Sequence, residues 1–451
     1  METPSPVRSL PKVAPGGLAT DSLKARFASG AFWSLLGAVI SRGLTLLGAI
    51  GSGHLLGSSG LGELGIVQST TSMFVALAGM GLGITARKYI AESRAKDRDR
   101  AGRYINLFLK VTLASGFVLS AIYLVALPTL SSTLPPGPGL ARSLQVGAGL
   151  IFFGALNGTG LGVLSGFEAF KATANVGIVR GALTTALMLA GAAAHGVLGG
   201  VAGFVLAESV SALWVGAVIR REARERGIPA GSPANAKEWI ILWKFGLPAL
   251  LGSVAVLPAL WGANVILVRN GGGFDQMGLY VAALKWHQLI LFVPSSLSGI
   301  ILPMLSNCHG AGDEEEFRSL FRLSVAVNLA ITLVPSAVVI LFSRSFMCLY
   351  GSEYEAGWPV LVVLSVAALP TVLNDILGQA IVSTGSIWCR MALDLLLALT
   401  LFVGSWWLIP RGGAMGLAIA QGMAFSATSA VLIGLTWKRP QRLDDDDPKL
   451  G

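Results

Sequence analysis

The chain has 451 residues, of which 53% are hydrophobic and 13% charged, with 57 glycines. A soluble protein carries roughly 25% charged residues, so this composition excludes an ordinary soluble domain and points to a polytopic membrane protein. The net charge of +9 fits the basic cytoplasmic loops of such a protein, and no nucleic-acid partner is expected.

Residues 1–27 are polar, contain Pro and Gly, and are expected to form a disordered cytosolic tail. They do not resemble a cleavable leader, and the first span itself acts as the membrane signal. Apolar runs of about 20 residues place twelve spans near 30–51, 62–86, 104–127, 144–165, 174–195, 197–219, 241–268, 278–304, 319–343, 359–384, 390–410 and 413–437. All must be helical, because lipid offers no partner for a bare backbone group. The expected fold is therefore all-α. Residues 28–219 form a first lobe of six spans, 220–240 a cytosolic inter-lobe loop, 241–437 a second lobe, and 438–451 an acidic cytosolic tail.

Charge sets the orientation. The N-tail, the even-numbered loops with their edges and the C-tail hold 24 Lys and Arg, whereas the odd-numbered loops hold Arg142, Arg269, Arg344 and Arg411. Both termini are thus expected in the cytosol. The basic run from Arg87 to Arg103 suggests a short helix that can lie on anionic lipid. ELGIV at 63–67 resembles QMGLY at 276–280, and each opens the second span of its half. With six spans per half, this is a parallel repeat about the membrane normal.

Catalytic motifs are missing. Gly60, Gly62 and Gly65 spell a dinucleotide fingerprint but lack the strand it needs. The sequon at Asn157 lies inside a span, and no P-loop, HExxH, paired CxxC or GxSxG occurs. Cys308, Cys348 and Cys389 imply no disulfide framework. A transporter is expected rather than an enzyme, with no cofactor beyond coupling to protons or sodium.

Intramembrane charges carry the functional reading, since they are costly and usually mark substrate or ion paths. Arg42 falls near the middle of span 1, where it either pairs with an acid such as Glu208 or lines a water-filled cavity; the cavity is preferred. Lys285, Trp286, His287 and Gln288 form a second polar cluster in span 8, and Lys285 is expected to face Arg42 from the opposite lobe. Arg180 sits closer to a membrane edge, where it can snorkel or meet an anionic head group. Glu208, Asp375 and Asp394 are the acids available for ion coupling or for pairing with buried cations. Asn264, Asn328 and Gln379 are read as interhelical hydrogen-bond partners.

WSLLGAVISR, HLLGSSGLGELGIVQSTTSMFVALAGMGLGITARKYIAE, GFEAFKATANV, FGLPALL, GLYVAALKW, LYGSEYEAGWPVL and IPRGGAMGLAIAQ occur in order along the chain. They resemble the polysaccharide (oligosaccharide-lipid) flippase family of the multidrug/oligosaccharidyl-lipid/polysaccharide exporter superfamily. The resemblance implies two six-helix lobes around a cavity lined by spans 1, 2, 7 and 8. It further implies transfer of undecaprenyl-pyrophosphate-linked oligosaccharides to the outer leaflet of the bacterial inner membrane, with glycosyltransferases and a glycan polymerase as partners. Arg42 and Lys285 stand where cavity cations of that family meet pyrophosphate or acidic sugars. The drug and cation antiporters of the superfamily rely on cavity carboxylates, which spans 1, 2, 7 and 8 lack at depth. An antiporter using Glu208 or Asp375, and a non-transporting scaffold for glycan assembly, are the alternatives.

Overall fold

The computed structural model describes residues 18–94, 96–137, 139–229, 238–239, 247–311, 313–384 and 386–438. Most of both expected tails, and Lys244, lie outside the described residues. The first lobe comprises α1 (Leu18–Gly79), α2 (Leu82–Ser93), α3 (Arg98–Ser132), α4 (Leu140–Gly166) and α5 (Phe170–Glu225). The second comprises α6 (Leu247–Asn270), α7 (Gly273–Ile290), α8 (Phe292–Ala311), α9 (Glu314–Leu341), α10 (Ser343–Cys348), a 3-10 turn (Ser352–Gly357), α11 (Trp358–Ser383) and α12 (Ile387–Lys438). No strand occurs among the described residues.

Seven stretches of the described residues are long and apolar enough to cross a membrane, and three of them run to 58, 56 and 47 residues. Each of these three turns back at a glycine: Gly57 (φ 68°) in α1, Gly196 (φ 60°) after His195 in α5, and Gly413 (φ 53°) in α12. Glycine alone adopts such positive φ freely. The three hairpins supply six spans. With α3, α4, α6, the joined α7–α8, α9 and α11, the described chain crosses twelve times.

Residue pairs give the directions. In α5, Gly191 meets Gly199 and Leu187 meets Gly203, so its two arms run antiparallel. Gly37 packs on Ala174 and Gly51 on Leu189, so the first arms of α1 and α5 run parallel. The second lobe repeats this, with Gly262 of α6 on Phe402 and Gly271 on Ile409 of α12. The fold is a pair of similarly built lobes, as the repeat requires.

The lobes join at one end. Leu61, Leu64 and Val67 share a single core with Met277, Leu279, Tyr280, Val281, Tyr350 and Tyr354. Here the two repeat motifs touch: Gly62 lies against the Phe274 carbonyl, Gly278 against that of Ser58, and Gly65 against Val281. Two side-chain bonds also cross, from Trp261 Nε1 to Thr70 Oγ1 at 3.0 Å and from Asn264 Nδ2 to Ser69 Oγ at 2.8 Å. Asn264 thus bridges helices as expected, whereas Asn328 donates within its own helix to Ser324. Toward the other end each lobe keeps its own core, around Tyr104, Phe108 and Phe167 in the first and around Leu377, Ile381 and Leu432 in the second. Outward faces are apolar, with Val125 82% and Leu341 76% exposed, as surfaces that contact lipid should be. The chain is a multi-pass membrane protein.

Local signals set the remaining boundaries. Asp97 caps α3 by accepting from Arg100 N–H at 2.9 Å, so span 3 opens at Arg98, inside the basic run. The expected short helix of that run is α2. Helix α5 continues to Glu225, so the basic inter-lobe segment begins as helix. Beyond it Ile228 is buried, and Arg103 Nε pairs with Glu238 at 2.7 Å, which holds this segment against the first lobe.

Candidate functional site

Arg42 of α1 and Lys285 of α7 line one recess between the lobes, completed by Thr45, Leu46, Gln288 and Leu289. Helix geometry selects this set. Residues three and four apart share a face, which brings 42, 45 and 46 together on α1 and 285, 288 and 289 together on α7. Intervening residues turn away. Trp286 is buried and packs on Phe346 with ring centroids 4.4 Å apart. His287 is 2% exposed and donates from Nδ1 to the Leu364 carbonyl at 2.8 Å. The expected four-residue cluster is therefore divided: Lys285 and Gln288 face the recess, while Trp286 and His287 belong to the second lobe's core.

Arg42 is exposed, and its guanidinium carbon lies 5.9 Å from the centroid of the Phe292 ring, within cation–π range. A Cβ built on the neighbouring Gly43 would meet nothing within 4 Å, so open space adjoins the cation. Among the described residues neither Arg42 nor Lys285 forms an ion pair. At 1.5 Å per residue, Arg42 lies roughly 22 Å from the Gly57 turn and Lys285 roughly 18 Å from the start of α7. Both therefore lie well away from the joined end, at similar distances from it.

Arg180 and Glu208 form a different unit. Arg180 Nε donates to Glu208 Oε1 at 2.9 Å and Nη2 to Oε2 at 3.0 Å, a two-pronged bridge. Asn157 Nδ2 adds bonds to Oε2 at 2.6 Å and to the Glu208 carbonyl at 3.0 Å. Glu208 is 2% exposed. Its partner is Arg180, not Arg42, and the pairing of Arg42 with Glu208 is excluded by this geometry. The head of Arg180 is turned to this carboxylate, and the adjacent Gly181 packs on Ser41 and Leu44, which sets Arg180 level with Arg42. Asn157 is fully buried, so its sequon is inaccessible.

In the second lobe Asp394 pairs with Arg390 at 2.9 Å one turn away. Arg390 also donates to the Asn374 carbonyl at 3.3 Å. Asp375 is exposed and forms no ion pair among the described residues. Among the described residues no cluster of metal-ligating side chains occurs. Thr45 and Phe292 escaped the sequence reading. Thr45 follows Arg42 by one helical turn, and Phe292 follows Lys285 by two, so the signal was the spacing from the two cations.

The family model for polysaccharide biosynthesis proteins matches residues 27–309, and that of the lipid II flippase MurJ matches residues 280–446. The capsular polysaccharide biosynthesis protein CapF of Staphylococcus aureus is 25% identical over 159 residues, 35% of this chain and 40% of that protein. The chain therefore aligns with less than half the length of this curated relative. Among solved structures, the inward-facing conformation of a multidrug resistance MATE family transporter of the MOP superfamily superposes with a TM-score of 0.75 at 16% identity, covering 90% of this chain and 98% of that one. The outward-facing conformation of such a transporter gives a TM-score of 0.68 at 17% identity, over 91% and 96%. A MOP superfamily transporter from Pyrococcus furiosus, described as having a binding pocket of reverse polarity, gives 0.71 at 16% identity, over 93% and 96%. With a match over more than half its length and the two-lobe architecture described above, the chain belongs to the polysaccharide biosynthesis protein family and has the fold of MOP-superfamily transporters.

Proposed function

We propose that the protein is a secondary transporter that moves a polyprenyl-pyrophosphate-linked oligosaccharide from the cytoplasmic to the outer leaflet of the bacterial inner membrane by alternating access. One observation carries this reading: Arg42 and Lys285 line the same inter-lobe recess, and neither has an acid partner among the described residues. Two neighbouring cations in a poorly polarisable setting repel one another, and an anion between them removes that cost. The guanidinium supplies a planar fork that matches phosphate oxygens, and the ammonium a compact charge with three donors. Gln288 and Thr45 add uncharged polar groups on the same faces.

Orientation rests on the distribution of Lys and Arg, which puts both termini and the open end of the lobes in the cytosol. The recess then faces the compartment in which lipid-linked glycans are assembled, with glycosyltransferases upstream and a polymerase downstream. The basic segment around α2 lies against anionic lipid head groups. For coupling to protons or sodium, Asp375 is the one of the three candidate acids that forms no ion pair among the described residues, since arginines hold Glu208 and Asp394. That occupancy counts against a multidrug antiporter.

The test is flipping of a pyrophosphate-linked glycolipid by purified protein in liposomes. Arg42→Ala and Lys285→Ala should each abolish it while the protein remains folded. Normal flipping by a well-folded Arg42→Ala protein would overturn the assignment.

A further inference from the structure

The joined end contains an arrangement that lobe packing alone does not require. After the Gly57 turn, the second arm of α1 starts at Ser58, and the first N–H groups of a helix have no acceptor within it. Ser58 N–H donates to a carboxylate oxygen of Glu353 at 2.8 Å. Ser58 Oγ donates to Asp275 Oδ1 at 2.8 Å. Both acids belong to the other lobe: Glu353 lies in the 3-10 turn and Asp275 in the first turn of α7. One lobe thus caps a helix of the other and sets negative charge at its positive end.

Around this contact the 3-10 turn is firmly seated. Tyr350 and Tyr354 are fully buried, with ring centroids 5.5 Å apart. Gly53, just before the turn of α1, lies against the Tyr350 ring. The two hydrogen bonds themselves are exposed, so water can replace the acids when the lobes part. We propose that Glu353 and Asp275 form a detachable cap on the second arm of α1, a latch that biases the lobes toward closure at this end and is released each time they separate. A helix cap changes an equilibrium by about tenfold. That suffices to favour one state and leaves the other reachable.

The latch rests on the two-lobe alternating-access part of the proposed function and is tested without substrate. Full-length protein in liposomes, with Cys308, Cys348 and Cys389 replaced by Ser, carries nitroxide labels at Arg142→Cys and Arg411→Cys. These positions are exposed near the joined end, one on each lobe. Electron–electron resonance then reads the distance between them. Glu353→Ala with Asp275→Ala should raise the long-distance population about tenfold. Ser58→Ala, which removes only the Asp275 bond, should give a smaller rise. Glu355→Ala, on the same turn, should change nothing. An unchanged distance distribution in a well-folded double variant would overturn the proposal. If the double variant does not insert, Glu353→Ala alone is read by the same criterion. Failure here with intact glycolipid flipping removes the latch and leaves the transport reading in place.

Discussion

A close backbone approach between the lobes sets a quantitative test. A methyl group on Gly278 would lie 2.0 Å from the Ser58 carbonyl oxygen, 2.8 Å from its carbon and 3.1 Å from its Cα. Carbon–oxygen contacts settle at about 3.3 Å or more, so Gly278→Ala forces the two helices apart by roughly 1.3 Å at that point. Backbone cannot rotate aside as a side chain can. Overpacking of this kind costs about 1–3 kcal/mol, and the cost falls on the closed state alone, because the contact exists only when the lobes meet. The equilibrium should shift toward opening at this end by roughly 5- to 150-fold, at 1.4 kcal/mol per tenfold. Val281 is 6% exposed, against Gly65. The rate at which an impermeant maleimide labels Val281→Cys therefore reports the opening. Gly278→Ala should raise that rate by the same factor, at an unchanged melting temperature of the separate lobe cores. Equal labelling in the two backgrounds would refute the claim that this contact closes the transporter.

Four further outcomes are expected. Arg42→Lys should retain part of the flipping activity that Arg42→Ala loses, because charge survives and the fork does not; initial rates in liposomes measure this. Glu208→Ala should lower stability by about 3–5 kcal/mol, since it strands Arg180 and Asn157, and joint replacement of Arg180 and Glu208 by leucine should recover most of it; thermal melting in detergent decides. Gly196→Ala should cost about 1–3 kcal/mol by straining a positive φ, while Gly216→Ala, whose Cβ would meet only Arg220 Nη2 at 3.8 Å, should melt like the parent. In intact cells an impermeant thiol reagent should reach Arg142→Cys and spare Arg220→Cys, as the charge asymmetry requires.

The spans were legible because lipid imposes one rule on every residue of a helix, and an apolar run records it directly. The repeat was legible in ELGIV and QMGLY, and their glycines prove to be where the lobes touch. The expectation that Arg42 and Lys285 face one recess comes from the same repeat, which sets span 8 of one lobe opposite span 1 of the other. What did not follow was direction and pairing. Four adjacent polar residues at 285–288 look like one cluster along a string, but a helix turns about 100° between neighbours and sends Trp286 and His287 elsewhere. Arg180 is turned inward by an acid on the returning arm, and its bond to Glu208 joins two arms of a hairpin. Neither is written in local periodicity. Nor does a sequence show that the acid capping Ser58 sits at Glu353, a long way down the chain.

The Arg180–Glu208 bridge also bears on how the chain is made. A charge inside a span opposes insertion, by up to about 2.5–3.5 kcal/mol at the span centre, so each arm of α5 would insert less readily alone than beside the other. The arms are joined by only His195 and Gly196, and their glycines bring Gly191 and Gly199 backbone to backbone. A ribosome has therefore barely finished the first arm when the second arrives with the opposite charge. Released into lipid together, the two would enter as a neutral pair, with Asn157 of the earlier α4 there to donate to the carboxylate. Lengthening this turn would delay the meeting and leave Arg180 waiting in the membrane, so the shortness of the connection protects the nascent chain as well as the finished fold.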